Sequence, residues 1–501
     1  MLRIPFLPSL GLTALTTFLF FTACEPRPET DAGLGVSTAE ETPVADMAVE
    51  PRVPEWEKDA VIYEVNLRHY TPEGTFAAFE SHIPRLAEMG VDVLWFMPIH
   101  PISEKNRKGE MGSPYAVANY TGVNPDFGTL ADFKSMIEAV HDAGMYAIID
   151  WIPNHSGWDN NWITEHPDFY TKKDGKITDP INPGTGESWG WTDVADLNYD
   201  NPELRDSMIA AMQFWVREAD IDGFRVDVAH GIPVDFIEHA ADSLYRMKPL
   251  FMLAEAEVPE IVNNGAFVMD YGWEMHHVLN QIASSQGASR AAATDGSNIA
   301  REEAKAEDKA TALDIDRVLE KYNDQYRRGY KMMFTSNHDE NSWSGTEFQR
   351  MGEGHKAFAV LTATFSGMPL IYTGQESAVD KQFEFFTKDE VEWGNYEYAD
   401  FYKTLFDLKE RNQALWNGSY GGELVKIQTG NDENIYAFTR EKNGDRVVVM
   451  INLSADPQSF ELGEGDYRGT YTDVFNKQQV EVQPGMQRQL GPWEYTVLSN
   501  R

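Results

Sequence analysis

The sequence predicts an α/β protein: a (β/α)8 TIM barrel with an inserted domain after strand 3 and a C-terminal all-β sandwich domain. Three observations carry this expectation. Short apolar runs recur eight times before residue 376, with helix-like stretches between them. Residues 154–200 interrupt that rhythm once. Beyond about residue 411 the helices stop, and only short strands separated by turn residues remain.

The elements follow in chain order. Residues 1–24 place Arg3 before an apolar run and the small Ala23 before Cys24. That layout is an export signal rather than domain structure. A small residue followed by cysteine resembles a bacterial lipobox. Cys24 is the single cysteine of the chain, so no internal disulfide is possible. A lipid anchor on its thiol is therefore expected, tethering an exported protein in the bacterial envelope, at the periplasm or cell surface. Residues 25–54 are acidic, rich in Pro and Thr and poor in aromatics, and read as a disordered linker.

The barrel is expected over 55–410. Its strands are "VIYEVNL" (61–67), "VDVLWFM" (91–97), "MYAIIDWI" (145–152), "IDGFRVDV" (221–228), "LFMLAEAE" (250–257), "FVMDYGW" (267–273), "KMMFTSNHD" (331–339) and "PLIYTGQE" (369–376). None alternates cleanly with a wet face, so each is buried on both sides. A doubly wound open sheet would satisfy the same pattern. Between strands, "TLADFKSMIEAVHDAG" (129–144) opens on Thr129, a helix N-cap, and closes on Gly144. "NPELRDSMIAAMQFWVREAD" (201–220) carries Pro202 near its start, as helices tolerate. The insert 154–200 holds Trp158, Trp162, Trp189 and Trp191 and is too long for a structureless loop. Residues 411–501 form the sandwich.

The 80 acidic residues against 42 basic ones give a net charge of −38. That excludes nucleic acid as the main partner, because phosphate binding needs a basic face. No Gly-rich phosphate loop and no Cys/His metal spacing occur, which argues against nucleotide, NAD and zinc chemistry. The polar residues instead gather at strand ends: Asp150, Asn154 and His155 at the third, Arg225 and Asp227 at the fourth, Glu255 at the fifth, His338 and Asp339 at the seventh. In a barrel these ends converge on one face. Singly, each is as well read as a cap, a turn former or a core hydrogen bond. Together they point to acid–base or nucleophilic chemistry.

The stretches "DWIPNH" (150–155), "GFRVDVAH" (223–230), "LAEA" (253–256) and "SNHD" (336–339) resemble the four signature regions of the α-amylase family, glycoside hydrolase family 13. "GVDVLWFMPIHP", "SPYAVANYTGVNPDFGT" and "GMPLIYTGQE" agree with it, and the resemblance runs from about residue 55 to the end. It implies Asp227 as nucleophile, Glu255 as general acid/base and Asp339 as stabiliser of the distorted sugar. Glu257, two residues on, is a rival on the same strand face. Arg225 and Asp227 share a strand face, so the cation is expected to hold the nucleophile's pKa down. The resemblance further implies that Tyr115 stacks under the sugar and that His155 and His338 bind its hydroxyls. Arg225 and His230 complete the substrate-contacting set, and Asp150 supports the site. Asn154 and Asp196 match ligands of the family's structural Ca2+. The pattern departs at His230 and Gly231, where many members carry Lys-His.

The expected activity is retaining hydrolysis of α-glucosidic, mainly α-1,4, bonds in starch, maltodextrins or related α-glucans. Glucosidase, neopullulanase or glucanotransferase activity on the same scaffold is the alternative. A non-catalytic starch-binding protein is disfavoured because all three carboxylates are present.

Overall fold

In the computed structural model the described residues are 52–182, 185–288 and 309–501. The leader with Cys24, and the linker as far as residue 51, lie outside them. Eight parallel strands close a barrel: β1 (Ile62–Val65), β2 (Val93–Phe96), β3 (Tyr146–Trp151), β4 (Gly223–Val226), β5 (Phe251–Ala254), β6 (Met269–Tyr271), β7 (Tyr330–Phe334) and β8 (Gly367–Tyr372). Each pairs with its sequence neighbour, and β8 closes on β1. Closure excludes the open sheet.

The two buried faces are two different cores. Ile62, Trp95, Ile148, Leu253, Met269, Met332 and Leu370 fill the barrel interior. Their neighbours Tyr63, Leu94, Ile149, Met252, Met333 and Ile371 pack in the core that includes the outer helices. Alternation by two, with apolar partners on both sides, is why the runs show no polar face. At Gly223 the barrel wall is too close for a side chain: a Cβ there would lie 1.8 Å from the Phe251 carbonyl oxygen.

The strands are shorter than the apolar runs. β4 ends at Val226 rather than 228, and β5 at Ala254 rather than 257. The polar tips leave the ladder, and Val228 turns into the left-handed region at φ 45°. Val228 therefore does not face the surrounding helices, as a strand residue would; Phe224 and Val226 do.

The helix Leu130–Asp142 starts at Thr129, whose hydroxyl accepts from the Asp132 amide while the Asp132 carboxylate accepts from the Thr129 amide. Such a capping box is worth about 1 kcal/mol. Phe133, Met136, Ile137 and Val140 make one buried stripe on it. Pro202–Ala219 is capped by the Asn201 side chain, which accepts from the Glu203 and Leu204 amides.

Between β3 and Pro202 the chain forms a short helix, Asn161–Glu165, and two two-stranded sheets. One of them pairs His155–Gly157 with Val194–Asp196. Trp162 packs on Tyr120 and Phe169 as part of a core, whereas Trp189 and Trp191 stack on each other at 5.9 Å and stay partly exposed.

After the helix Ala399–Arg411 come eight antiparallel strands: β9 (Leu424–Lys426), β10 (Ile435–Lys442), β11 (Asp445–Asn452), β12 (Gln458–Glu461), β13 (Gly469–Asp473), β14 (Gln479–Val482), β15 (Gln487–Leu490) and β16 (Tyr495–Ser499). Six form one sheet, in the order β9-β10-β11-β16-β13-β14, and β12 pairs β15. Ile435, Val448 and Leu498 share a core with Phe460 and Leu490 of the small sheet. The alternate residues Tyr436, Phe438, Val447 and Val449 join the core of the barrel's outer layer. Among the described residues no helix is long and apolar enough to cross a membrane.

Candidate active site

Arg225, on the inner face of β4, has no exposed surface. A buried guanidinium is tolerable only when anions surround it. Its Nη1 donates to Asp150 Oδ1 at 2.9 Å and to Asp227 Oδ1 at 2.8 Å. Nη2 lies 2.9 Å from Glu255 Oε1, without the angle for a hydrogen bond. Nε donates to the Tyr271 hydroxyl at 3.1 Å, and the Trp95 ring covers the guanidinium at 5.1 Å. One cation thus gathers carboxylates from the ends of β3, β4 and β5.

Glu255 is held from β4 as well. Its amide donates to the Val226 carbonyl at 2.9 Å, and the Val228 amide donates to its Oε2 at 2.7 Å. Val228 is left-handed, which brings the next amide, that of Ala229, to the Glu255 carbonyl at 3.2 Å. Such a backbone costs a β-branched residue of order 1–3 kcal/mol and persists only where its surroundings enforce it.

On the opposite side, Glu64 of β1 binds His338 twice: it accepts from the backbone amide at 3.2 Å and from Nδ1. Nε2 of His338 is 2.8 Å from the Tyr115 hydroxyl, which donates to Asp150 Oδ2 at 3.0 Å. Burial acts to lower the His338 pKa, but the Asp339 and Glu64 carboxylates outweigh it and lift it to about 9. The imidazolium therefore donates from both nitrogens. A continuous path runs Glu64–His338–Tyr115–Asp150–Arg225–Asp227 across the barrel mouth. Asp339 Oδ2 lies 3.4 Å from His338 Nε2.

Burial pushes Asp227, Glu255 and Asp339 above the ordinary carboxyl range. Arg225 opposes this at all three without overcoming it, and Asp150 reaches about 7 for the same reason. This corrects the expectation that Arg225 alone would depress Asp227. Here a single buried cation is divided among several anions.

Other expected residues fall as follows. The Tyr115 ring is almost fully buried, parallel to His338 at 5.4 Å and to Phe385 at 6.2 Å. His155 is buried, its pKa lowered to about 4 by burial, and it meets the Trp191 edge at 5.8 Å. His230 is exposed, in a turn at Ala229–Gly231. Glu257 is not in the cluster. Its Oε2 accepts from the Glu274 amide at 3.1 Å and its Oε1 from the Tyr322 hydroxyl at 2.5 Å. The same-face expectation fails because the chain has left β5 at Ala254.

Asn154 and Asp196 come together through the pairing of His155 with Asp196 and the Leu197 amide donating to the Asn154 carbonyl at 3.2 Å. Burial raises the Asp196 carboxyl to about 6; Thr171 and Asp179 are its other influences, and neither is a cation. Among the described residues no three or more His, Cys, Asp or Glu are grouped to hold a metal.

Glu64, Trp95 and Tyr271 were absent from the expected set. Glu64 carried a signal: an acid inside the apolar run "VIYEVNL", the same anomaly that marks Arg225. Trp95 and Tyr271 carried none, since aromatic rings in core strands are ordinary.

A closed parallel barrel whose C-terminal mouth holds buried carboxylates from successive strands has the layout of a barrel glycosidase. Residues 55–445 match the family model described as alpha amylase, catalytic domain, and residues 426–497 match maltogenic amylase, C-terminal domain. The chain belongs to the α-amylase family. It is 26% identical over 453 residues to Alpha-amylase MalA of Haloarcula japonica, spanning 84% of this chain and 60% of that protein. It is 23% identical over 490 residues to the Maltogenic alpha-amylase of Bacillus acidopullulyticus, spanning 89% and 78%. The solved structure of the maltogenic alpha-amylase AmyB from Thermotoga neapolitana superposes with a TM-score of 0.76 at 25% identity, covering 88% of this chain and 98% of that one.

Proposed function

We propose that this chain is a retaining glycosidase that cleaves α-glucosidic bonds, mainly α-1,4, in starch or maltodextrins. The observation that carries the reading is the single Arg225 guanidinium binding Asp227 and touching Glu255 inside one buried cluster. Asp227 attacks the anomeric carbon as the C–O bond breaks, and Glu255 gives its proton to the leaving oxygen. Water then loses a proton to Glu255, attacks the anomeric carbon and frees Asp227. Asp339 stabilises the positive charge that develops on the sugar. Burial favours the protonated form of Glu255 that the first step needs, and Arg225 favours the ionised form of Asp227. His155, His338, His230, Arg225 and Tyr115 surround the sugar. No cofactor takes part in the chemistry. Asn154 and Asp196 supply oxygen ligands of the kind Ca2+ takes, Asp196 being a half-buried acid with no cation beside it among the described residues.

The test is time-resolved product analysis on starch, pullulan, cyclodextrin and maltotriose, with and without chelator. Asp227→Asn should lose on the order of 10⁴-fold or more in activity; equal slow release by both proteins would sink the reading. Glucan transfer is the second reading, favoured by the partly exposed Trp189–Trp191 stack beside His155, a platform for an acceptor sugar. Products longer than the substrate would select it. The exported, Cys24-lipidated form is likewise a proposal. Cys24→Ser should move the protein out of the membrane fraction, and unchanged membrane association would refute the anchor.

A further inference from the structure

On the outer face of the barrel, Asp270 of β6 and Lys331 of β7 are direct register partners. Neither belongs to the hydrophobic pattern of its strand, and both are buried, Lys331 at 4% exposure and Asp270 at 0%. Lys331 Nζ lies 2.9 Å from Asp270 Oδ1 and 3.6 Å from Glu257 Oε1. It sits over the Tyr326 ring at 3.7 Å and the Tyr322 ring at 4.5 Å. The tyrosines return to the same acids: Tyr326 donates to Asp270 Oδ2 at 2.7 Å and Tyr322 to Glu257 Oε1 at 2.5 Å. A buried cation on a barrel wall is costly unless fully paired, so the cluster calls for a reason.

The chain running out of Glu255 supplies one. Residues 256–258 are held at each step. The Tyr271 amide donates to the Ala256 carbonyl at 3.0 Å. Glu257 accepts from the Glu274 amide in the first turn of helix Trp273–Ser285. The Val258 amide donates to Asp270 Oδ2 at 3.2 Å. Lys331 Nζ also donates to the Tyr271 carbonyl at 3.3 Å, and the Tyr271 hydroxyl receives Arg225 Nε. The cluster thus grips both the segment that carries Glu255 and the tyrosine that orients Arg225.

We propose that Lys331, Asp270 and Glu257 form a brace that positions Glu255 as proton donor. They are positioning residues, and the inference rests on Glu255 being the general acid. Glu255 is fixed from β4 through Val226 and Val228 on one side. The brace fixes it on the other, so that its acid hydrogen meets the leaving oxygen. Truncating Glu257, which bonds neither Tyr271 nor Arg225, leaves the Arg225–Asp227 contact in place.

The test uses leaving-group dependence, which a merely structural role would not change. A maltooligosaccharide leaves as an alkoxide and needs a proton from Glu255; α-maltosyl fluoride leaves as fluoride and needs little acid help. Lys331→Met and Glu257→Ala should each lower kcat on maltoheptaose about 10-fold or more, while the first-turnover release of fluoride from α-maltosyl fluoride stays within about 2-fold of wild type. Glu257→Ala covers the case in which Lys331→Met does not fold, since the Glu257 side chain is 22% exposed. Equal losses on both substrates, or no loss on either, would overturn the brace. Glu255→Gln is the reference, read in the first turnover because Glu255 also serves as base in the second step: if it fails to spare that first release of fluoride, the acid assignment itself falls, and the brace with it.

Discussion

His338 is held between Glu64 on β1 and the Tyr115 hydroxyl, and those contacts set its charge. Its folded pKa of about 9 stands above the ordinary 6.5, so the fold binds this proton more tightly than the unfolded chain does. The resulting stability is complete below about pH 6.5 and is lost as pH rises through about 9. Burial pushes the Glu64 carboxyl upward against the pull of His338, which offsets part of the gain. Glu64→Gln should therefore destabilise the protein most at pH 6 and progressively less towards pH 9. Urea unfolding across that range measures it, and a pH-independent difference would contradict it. The same residue marks how far single positions can be read. Arg225 was legible as a charge inside an apolar run, and Glu64 carried the same mark. The positions of their partners were not legible, because they depend on which strand tips meet. Arg225 faces Asp150 from 75 residues away, and His338 faces Glu64 from 274.

At the scale of elements, β4 shows why the barrel tolerates so little change at its wall. A Cβ on Gly223 would stand 1.8 Å from the Phe251 carbonyl oxygen, and the contact is backbone that cannot rotate aside. Gly223→Ala should cost about 3 kcal/mol or more by forcing β4 and β5 apart. A drop in urea midpoint with unchanged m-value reads it; wild-type stability would mean the strands can separate freely. All eight strands were visible as apolar runs because both their faces are buried. Their C-terminal ends were not, since a polar residue can stay in the ladder or turn out of it with the same local sequence. Glu255 and Glu257 illustrate this. Two residues apart on a continuing strand they would share a face; after the turn beyond Ala254, Glu255 meets Arg225 while Glu257 meets Tyr322. Helix starts were clearer, because Thr129 and Asn201 cap through bonds to residues only two or three positions away.

At the scale of the whole molecule, a buried cation helps to join the C-terminal sheet to the barrel, beside the apolar core that they share. Arg440, on β10, donates to the carbonyls of Thr364 and Phe365 at the end of a barrel helix and to those of Trp416 and Gly422. Among the described residues no acid is paired with it, and burial lowers its pKa to about 9. Arg440→Ala would leave those carbonyls buried without donors, at a cost of about 3 kcal/mol or more. The expected result is a single calorimetric transition moved to lower temperature. Separate melting of the sheet domain ahead of an unshifted barrel would show instead that the two are not coupled through this residue.

Taken by itself, the sequence determined the barrel, the interruption after the third strand, the all-β end and the identity of the charges at the strand tips. Each is written in local patterns of apolar period, capping chemistry and misplaced charge. Tertiary structure alone decided that Arg225 divides its charge among several acids and that burial lifts the Asp227 pKa. It also decided that Glu257 belongs to a brace outside the barrel, and that Val228 adopts a left-handed backbone beside Glu255. These depend on distances between residues far apart in the chain and on how deeply the fold buries them, and no local pattern encodes either.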